Sequence, residues 1–191
     1  MAEANLRIFE EIAGITEKAG LAEALAGELA KYSIYDIMRI RAWQDREIEL
    51  LPFPYREKAR PYFIEWHVGR YFKAMALLSN GGFQSFSGPI QDLSRFREFC
   101  DTENRSLNER YYMDDDDSMY GMSAGLYYLP LSCFYMFVLD QPGHPIGTPF
   151  PGGFSVREEN GEFYCPIRDK EKDVWYSICN FCPARQDERN K

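Results

Sequence analysis

A long uncharged stretch, from Ser118 to Leu139, most limits the folds that this chain can adopt. An apolar run of this length must be buried, either in a lipid bilayer or in a protein core. The stretch contains Pro130, two glycines, three serines and four tyrosines, a composition that disfavours a lipid-facing helix. We therefore predict that it forms a buried helix, or a helix followed by a strand, in the core of a soluble domain.

The sequence before this stretch predicts several helices. Residues 3–31 are rich in Ala, Glu and Leu, and we expect Gly20 to divide them into two short helices. Ser33 and Asp36 form an acidic variant of the capping box, which predicts that a helix starts there. A further helix, from about residue 55 to residue 78, should bury one stripe of side chains. The stripe consists of Ile64, Val68, Tyr71, Met75 and Leu78.

Residues 89–117 are expected to form one helix followed by a loop. Pro89 is a candidate helix start, and the helix should run through Phe96 and Phe99 to Cys100. The polar residues 101–117 then predict a surface loop that ends in four aspartates, Asp114 to Asp117. Because this run lacks the Gly and the terminal Glu of an EF-hand, a solvated acidic loop explains it better than a cation site.

The composition changes after residue 139. Residues 140–153 contain four prolines and four glycines, which predicts a long ordered loop. Asn160-Gly161 lies between two β-prone segments, residues 154–156 and 162–164, and therefore predicts a β-hairpin. The sequence thus predicts a single, mainly α domain, with a helical body at residues 1–139. The loop, the hairpin and a cysteine segment at residues 140–191 should pack on that body.

Three cysteines near the C-terminus have the spacing of a metal site. Cys179 and Cys182 are separated by two residues and can hold one ion from a tight turn. Cys165, at the end of the predicted hairpin, would supply a third thiolate of a four-ligand zinc site. Cys165 and Cys182 are each followed by a proline, as are some cysteines that bind iron–sulfur clusters. The pattern predicts zinc, with an iron–sulfur cluster and three packed thiols without metal as alternatives.

The fourth ligand of this site is less defined by the sequence. His144 is the first choice, because it lies in the Pro/Gly-rich loop and is close to the cysteines in sequence. An exogenous ligand is another choice. Cys133 lies in the apolar run, where a small buried hydrophobe is the simpler interpretation, and His67 is more simply a core or surface histidine. The protein candidates for the fourth position are His144, Cys100, Cys133 and His67.

Two other motifs contain residues of the kind found in functional sites. Glu65, His67 and Arg70 lie within two helical turns and predict either a polar site or a surface salt-bridge pattern. The glycine-rich stretch from Gly143 to Gly153 does not fit a phosphate cradle, because it lacks a GK[ST] ending and its prolines remove backbone donors.

Charge and chain ends limit the classes of partner. The net charge is −8 and the isoelectric point is about 4.9, so the chain should repel nucleic acid. Residues 1–4 show no signal peptide, which predicts a cytoplasmic protein with reduced thiols. Aromatic residues make up 16% of the chain, and this abundance of Tyr and Phe favours a protein partner or a homo-oligomer.

Four parts of the sequence carry a resemblance to a known family. They are residues 35–38, residues 65–71, residues 143–153, and residues 164–166 together with 179–182. By these stretches the chain resembles an uncharacterised protein family found mostly in methane-producing archaea. The resemblance implies an anaerobic cytoplasm, where thiolates stay reduced and iron–sulfur clusters survive. It implies no activity.

Two classes of function therefore stay open. One is a non-catalytic, metal-stabilised protein that binds a partner. The other is a metalloenzyme, or a factor that handles cofactors or clusters, with the cysteine site and His144 at its centre. An open coordination position would favour the second class, because catalytic zinc keeps one position for water.

Overall fold

The computed structural model describes residues 5–111 and 121–190, and within these ranges the protein is mainly α-helical with a small C-terminal sheet. This confirms the predicted fold class. The α-helices are α1 Ile8–Ile12, α2 Lys18–Leu29, α3 Ile34–Glu49, α4 Tyr55–Ile64, α5 Arg70–Leu78, α6 Leu93–Tyr111 and α7 Gly121–Cys133. The strands are β1 Arg157–Glu159, β2 Glu162–Cys165 and β3 Arg185–Gln186. Two π-helical segments, Glu65–Gly69 and Phe134–Val138, follow α4 and α7 respectively.

The break between the first two helices is not at Gly20, as the sequence predicted, but before α2. Gly20 lies inside α2, and the chain between the helices is held by residues 88–90. The N–H of Lys18 donates to the carbonyl of Gly88 at 3.1 Å, and the N–H of Ile90 donates to the carbonyl of Thr16 at 2.9 Å. A non-local backbone pairing therefore determines where the helix starts.

The capping box at the start of α3 is confirmed. The Ser33 hydroxyl accepts the N–H of Asp36 at 3.3 Å, and the Asp36 carboxylate accepts the N–H of Ser33 at 2.9 Å. Both contacts satisfy backbone donors that would otherwise lack a partner at the helix start.

The helix predicted for residues 55–78 is interrupted by the π-helical segment Glu65–Gly69. A π-helical turn takes in an additional residue and shifts the faces of the following helix. As a result Arg70 is buried together with Tyr71, whereas Ile64 and Val68 are only half-buried. The predicted single stripe is therefore wrong in its first half.

Helix α6 starts later and ends later than predicted. The carboxylate of Asp92 accepts the N–H of Arg95 at 3.0 Å and caps the helix, so that Pro89 stays outside it. Residues 101–111 continue the helix and do not form a loop, because Ser106 and Leu107 on this part are buried. The predicted acidic loop at Asp114–Asp117 lies outside the described residues.

The described part of the uncharged run forms the centre of the core, as predicted. From Leu126 to Val138 every side chain is buried except the half-buried Tyr128. The ring of Phe134 packs edge-on against Phe86, and Phe137 packs against Phe99. Residues 118–120 lie outside the described part of the chain. In the described ranges no helix is both long and apolar enough to cross a membrane.

The Asn-Gly hairpin is confirmed, with one shift of its first strand. Asn160 and Gly161 both have positive φ, 53° and 80°, as a type I′ turn requires. Strand β1 begins at Arg157 and not at the predicted residues 154–156. Those residues pair instead with the Pro/Gly-rich loop, where the N–H of Val156 donates to the carbonyl of Thr148 at 3.0 Å. Strand β3 adds to β2 in parallel and was not predicted.

Candidate functional site

The three C-terminal cysteines lie on adjoining elements, and we call Cys165, Cys179 and Cys182 the cysteine knuckle. Cys165 ends β2, and Cys179 lies in a single 3-10 turn, Ile178–Phe181, directly before Cys182. The N–H of Asp187 donates to the carbonyl of Cys165 at 3.0 Å, which holds the chain after Cys182 beside the end of β2. All three side chains are buried, and all are free thiols.

Backbone amides are directed at two of the three sulfurs. The N–H of Gly143 donates to Cys182 Sγ at 3.4 Å, and the amide of Ala184 also acts on this sulfur. The backbone amides of Ile167 and Arg168 form hydrogen bonds with the sulfur of Cys165, because both residues come directly after Pro166. Amide donors stabilise a thiolate more than a neutral thiol, and each of them lowers the pKa of its cysteine.

Burial nevertheless dominates the acidity of the knuckle. It raises the pKa of Cys165 to about 11 and that of Cys179 to about 12, and it also raises the pKa of Cys182. The neighbouring sulfurs contribute, because Cys165 and Cys182 both raise the pKa of Cys179. Without a bound cation the three groups are therefore neutral thiols at pH 7.

The metal site itself is not shown by this arrangement. Within residues 5–111 and 121–190, no three His, Cys, Asp or Glu side chains converge closely enough to hold an ion. The zinc site, and the iron–sulfur alternative, stay predictions.

His144, the predicted fourth ligand, lies among aromatic rings. Its ring centroid is 4.3 Å from that of Trp66 and 5.4 Å from that of Phe150. Burial, followed by the charges of Arg70 and His67, lowers the pKa of His144 to about 3. The imidazole is therefore neutral at pH 7, which is the form that binds metals. Its place as a ligand stays a prediction.

The alternative cysteines belong to the helical core. Cys133 is fully buried on α7, as its apolar surroundings predicted, and Cys100 is buried on α6. Burial raises the pKa of Cys133 most, and the neighbouring Cys100 and Glu103 raise it further. Their surroundings are thus those of small buried side chains between two helices.

A second group of polar and aromatic side chains lies on the π-helical segment and α7. The rings of Trp66, His67 and Tyr128 form a triangle with centroid separations of 4.9, 5.3 and 5.5 Å. We call these three residues, together with Arg70, the ring–arginine cluster. Burial, and after it the charge of Arg70, lowers the pKa of His67 to about 4.

Arg70 is a buried cation held by backbone oxygens. Its guanidinium donates to the carbonyls of Pro142, at 3.0 Å, and of Gly143, and it lies 4.2 Å from the ring centre of Tyr135. The predicted polar group of Glu65, His67 and Arg70 is formed only in part, because Glu65 pairs with Lys73 at 2.6 Å.

Sequence reasoning pointed to two members of this cluster and missed the other two. Trp66 and Tyr128 are aromatic residues within apolar patterns, which indicate core positions. The signal that distinguishes Trp66 is its place beside the only two histidines of the chain, one of which is its neighbour in sequence.

A match to a known family model establishes the relationship of this chain. The model of a family described as an uncharacterised protein conserved in archaea, DUF2115, matches residues 17–187. The chain belongs to the DUF2115 family. This match includes the cysteine knuckle and the ring–arginine cluster.

Curated relatives of this DUF2115 chain come from methanogens. A UPF0305 protein of Methanothermobacter thermautotrophicus is 29% identical over 87% of this chain and 94% of its own length. A UPF0305 protein of Methanocaldococcus jannaschii is 30% identical over 86% of this chain and 93% of its own. No solved structure matches the chain. The predicted relationship to an uncharacterised family of methane-producing archaea is thereby confirmed.

Proposed function

We propose that the protein is a metal-stabilised protein that binds a partner, with Zn²⁺ held by Cys165, Cys179 and Cys182. The observation that carries this proposal is the set of backbone amides directed at the sulfurs of Cys165 and Cys182. Neutral thiols are weak acceptors and have little need of such donors. A zinc-bound thiolate carries the negative charge that these amides stabilise.

The charge balance of the knuckle supports a dication. Three thiolates in a buried setting require compensation, since burying unpaired charge is strongly unfavourable. A zinc ion supplies two positive charges, and Arg168, which lowers the pKa of both Cys165 and Cys182, supplies further compensation. The side chain of Arg168 is kept in place by its hydrogen bond to the Ala184 carbonyl at 3.0 Å.

His144 completes the tetrahedral shell in this proposal. It follows Gly143, whose amide is bonded to Cys182 Sγ, so the two residues are close along the backbone, and the ring would have to turn from Trp66 towards the sulfurs. A closed shell of protein ligands is typical of structural zinc. The ion would then fasten residues 140–191 to the helical body, and its binding free energy would add to the stability of the fold.

The cysteines also support the alternative of an iron–sulfur cluster. The Cys-Pro steps at residues 165 and 182 favour it. The absence of a denser CxxCxxC run favours zinc. Visible absorbance separates the two, because zinc thiolates are colourless and iron–sulfur clusters are brown.

Metal analysis of matched variants tests the proposal. Protein purified anaerobically without chelator should contain about one zinc per chain, and Cys179→Ser and Cys182→Ser should lose most of it. Cys100→Ser, which changes a buried cysteine outside the knuckle, should retain it. A folded, reduced and metal-free wild-type protein would contradict the proposal.

The partner is proposed to bind at the start of α3. Ile34 and Tyr35 begin this helix and Met38 lies about one turn further on; they expose 54%, 75% and 61% of their surface respectively. Adjacent exposed apolar side chains of this kind are typical of interaction surfaces. A second copy of the chain is tested first, by light scattering over a concentration series. Self-association that is lost in Tyr35→Lys supports this use, and a constant monomer mass contradicts it.

A further inference from the structure

The ring–arginine cluster lies on other elements than the cysteine knuckle and contacts the loop whose Gly143 amide donates to Cys182. Its hydrogen-bond donors include the guanidinium of Arg70, the indole N–H of Trp66 and the imidazole of His67, whereas the hydroxyl of Tyr128 is hydrogen-bonded to Ser132. The Nε1 atom of Trp66 is buried and has no hydrogen-bond partner among the residues that the structure describes. A buried donor without an acceptor is unfavourable, and a bound acceptor would relieve it.

The buried charge of Arg70 also favours a bound acceptor, in this case a negatively charged one. Only 5% of its surface is exposed, and buried charges are normally paired with an opposite charge. The carbonyls of Pro142 and Gly143 orient the guanidinium but leave it positively charged. Glu65 and Cys182 both act on Arg70 electrostatically, but Glu65 is engaged by Lys73 and the Cys182 thiol is neutral without a bound metal. No carboxylate pairs with Arg70 in the described part of the chain.

The local backbone structure also fits a binding site. Trp66 and His67 lie in a π-helical segment, and Arg70 follows directly after it. Such segments are frequent at functional sites, where they persist despite their lower stability. Trp66, His67 and Tyr128 are half-buried as whole residues, whereas Arg70 is buried.

We propose that Trp66, His67, Arg70 and Tyr128 form a binding site for a small oxyanion, such as a phosphate or carboxylate group. The anion would accept the indole N–H of Trp66 and neutralise Arg70. A divalent cation is disfavoured at the same place, because Arg70 would repel it. The proposal does not require the zinc site, since none of these four residues is a proposed metal ligand.

Nuclear magnetic resonance on the whole 191-residue chain, as purified, tests this site. The chain contains only two histidines and three tryptophans, so ¹⁵N labelling of these side chains gives few signals. Inorganic phosphate and acetate are titrated separately at pH 7 and constant ionic strength. The indole signal of Trp66 and the imidazole signal of His67 should shift saturably with at least one of them, and the tighter binder identifies a phosphate or a carboxylate ligand.

Variants make the assignment specific. Arg70→Gln should weaken binding by about tenfold or more, as expected for losing a charge-assisted hydrogen bond. Arg70→Lys and Trp66→Phe keep the charge and the ring respectively and should weaken it less. Arg105→Gln is the matched control, because Arg105 also lies over an aromatic ring, that of Trp175, but at an exposed site.

Two results would overturn the proposal. The first is the absence of saturable shifts with both anions. The second is unchanged binding in folded Trp66→Phe and Arg70→Lys, which keeps the test valid if Arg70→Gln fails to fold.

Discussion

The backbone N–H of Gly143 donates a hydrogen bond to the sulfur of Cys182 at 3.4 Å. The carbonyl of the same residue accepts a hydrogen bond from Arg70, which is buried at the start of α5. Gly143 therefore connects the cysteine knuckle to the helical body through both of its backbone polar groups. A change of charge at the Cys182 sulfur should therefore alter the packing of this loop against α5.

Metal removal should lower the stability of the whole protein. At a free metal concentration of about 100 times Kd, a ligand stabilises the folded state by about 2.7 kcal/mol. For a chain of this size a strong chelator should lower the melting temperature by roughly 5–10 °C. Cys182→Ser should show no further decrease with chelator, whereas Cys100→Ser should respond like the wild type. Equal melting curves of wild type with and without chelator would contradict a structural metal.

Loss of a central aromatic side chain should be strongly destabilising. Phe134 is fully buried and packs against Phe86 and Tyr135. Phe134→Ala should lower the free energy of unfolding in urea by about 3–5 kcal/mol, through lost packing and the resulting cavity. Phe72→Ala, at a position that is 48% exposed, should change it by less than about 0.5 kcal/mol. Equal losses of unfolding free energy in both variants would contradict the central position of Phe134 in the core.

Features encoded by neighbouring residues were predictable from the sequence. The Ser33–Asp36 capping box and the Asn160-Gly161 turn depend on residues within three positions of one another, and both form as expected. The buried run at residues 126–138 was also predictable, because an apolar stretch must be covered.

Features that depend on distant contacts were not predictable in this way. The start of α2 is determined by pairing with residues 88–90, and the polar segment 101–111 is helical because one face packs in the core. The π-helical turn at residues 65–69 leaves no pattern in the sequence, yet it determines which side chains approach Arg70. Of the candidate site, the cysteine spacing was readable, while the contacts of His144 with Trp66 and Phe150 were not.

Acidification should destabilise the protein through His67. Burial lowers the pKa of His67 in the folded state to about 4, against about 6.5 in an unfolded chain. Because the folded pKa is the lower one, the unfolded state binds the proton more tightly. The stabilising contribution is complete above about pH 6.5 and is lost as the pH falls towards 4. His67→Phe should flatten the dependence of the unfolding free energy on pH in this range, and an unchanged slope would contradict a buried neutral imidazole.

The stability of the C-terminal segment should depend on Asp187. This buried carboxylate accepts hydrogen bonds from Arg157 at 3.1 Å and from Arg189 at 2.7 Å, and these contacts hold its pKa well below the usual range. Its stabilising effect is present above the unfolded pKa, about 3.9, and is lost as the pH falls further. Asp187→Asn should therefore lower the melting temperature at pH 7, and the difference from wild type should shrink below pH 4. Asp173→Asn, at an exposed position, serves as the control and should leave the melting temperature unchanged.

X-ray absorption at the zinc edge tests the proposed metal centre most directly. The account predicts a first shell of about three sulfurs at about 2.3 Å and one nitrogen at about 2.0–2.1 Å from the metal. The nitrogen should be replaced by an oxygen, or lost, in His144→Ala. A shell of oxygen and nitrogen atoms without sulfur, or protein that carries no metal when purified anaerobically, would contradict the assignment of Cys165, Cys179 and Cys182 as ligands.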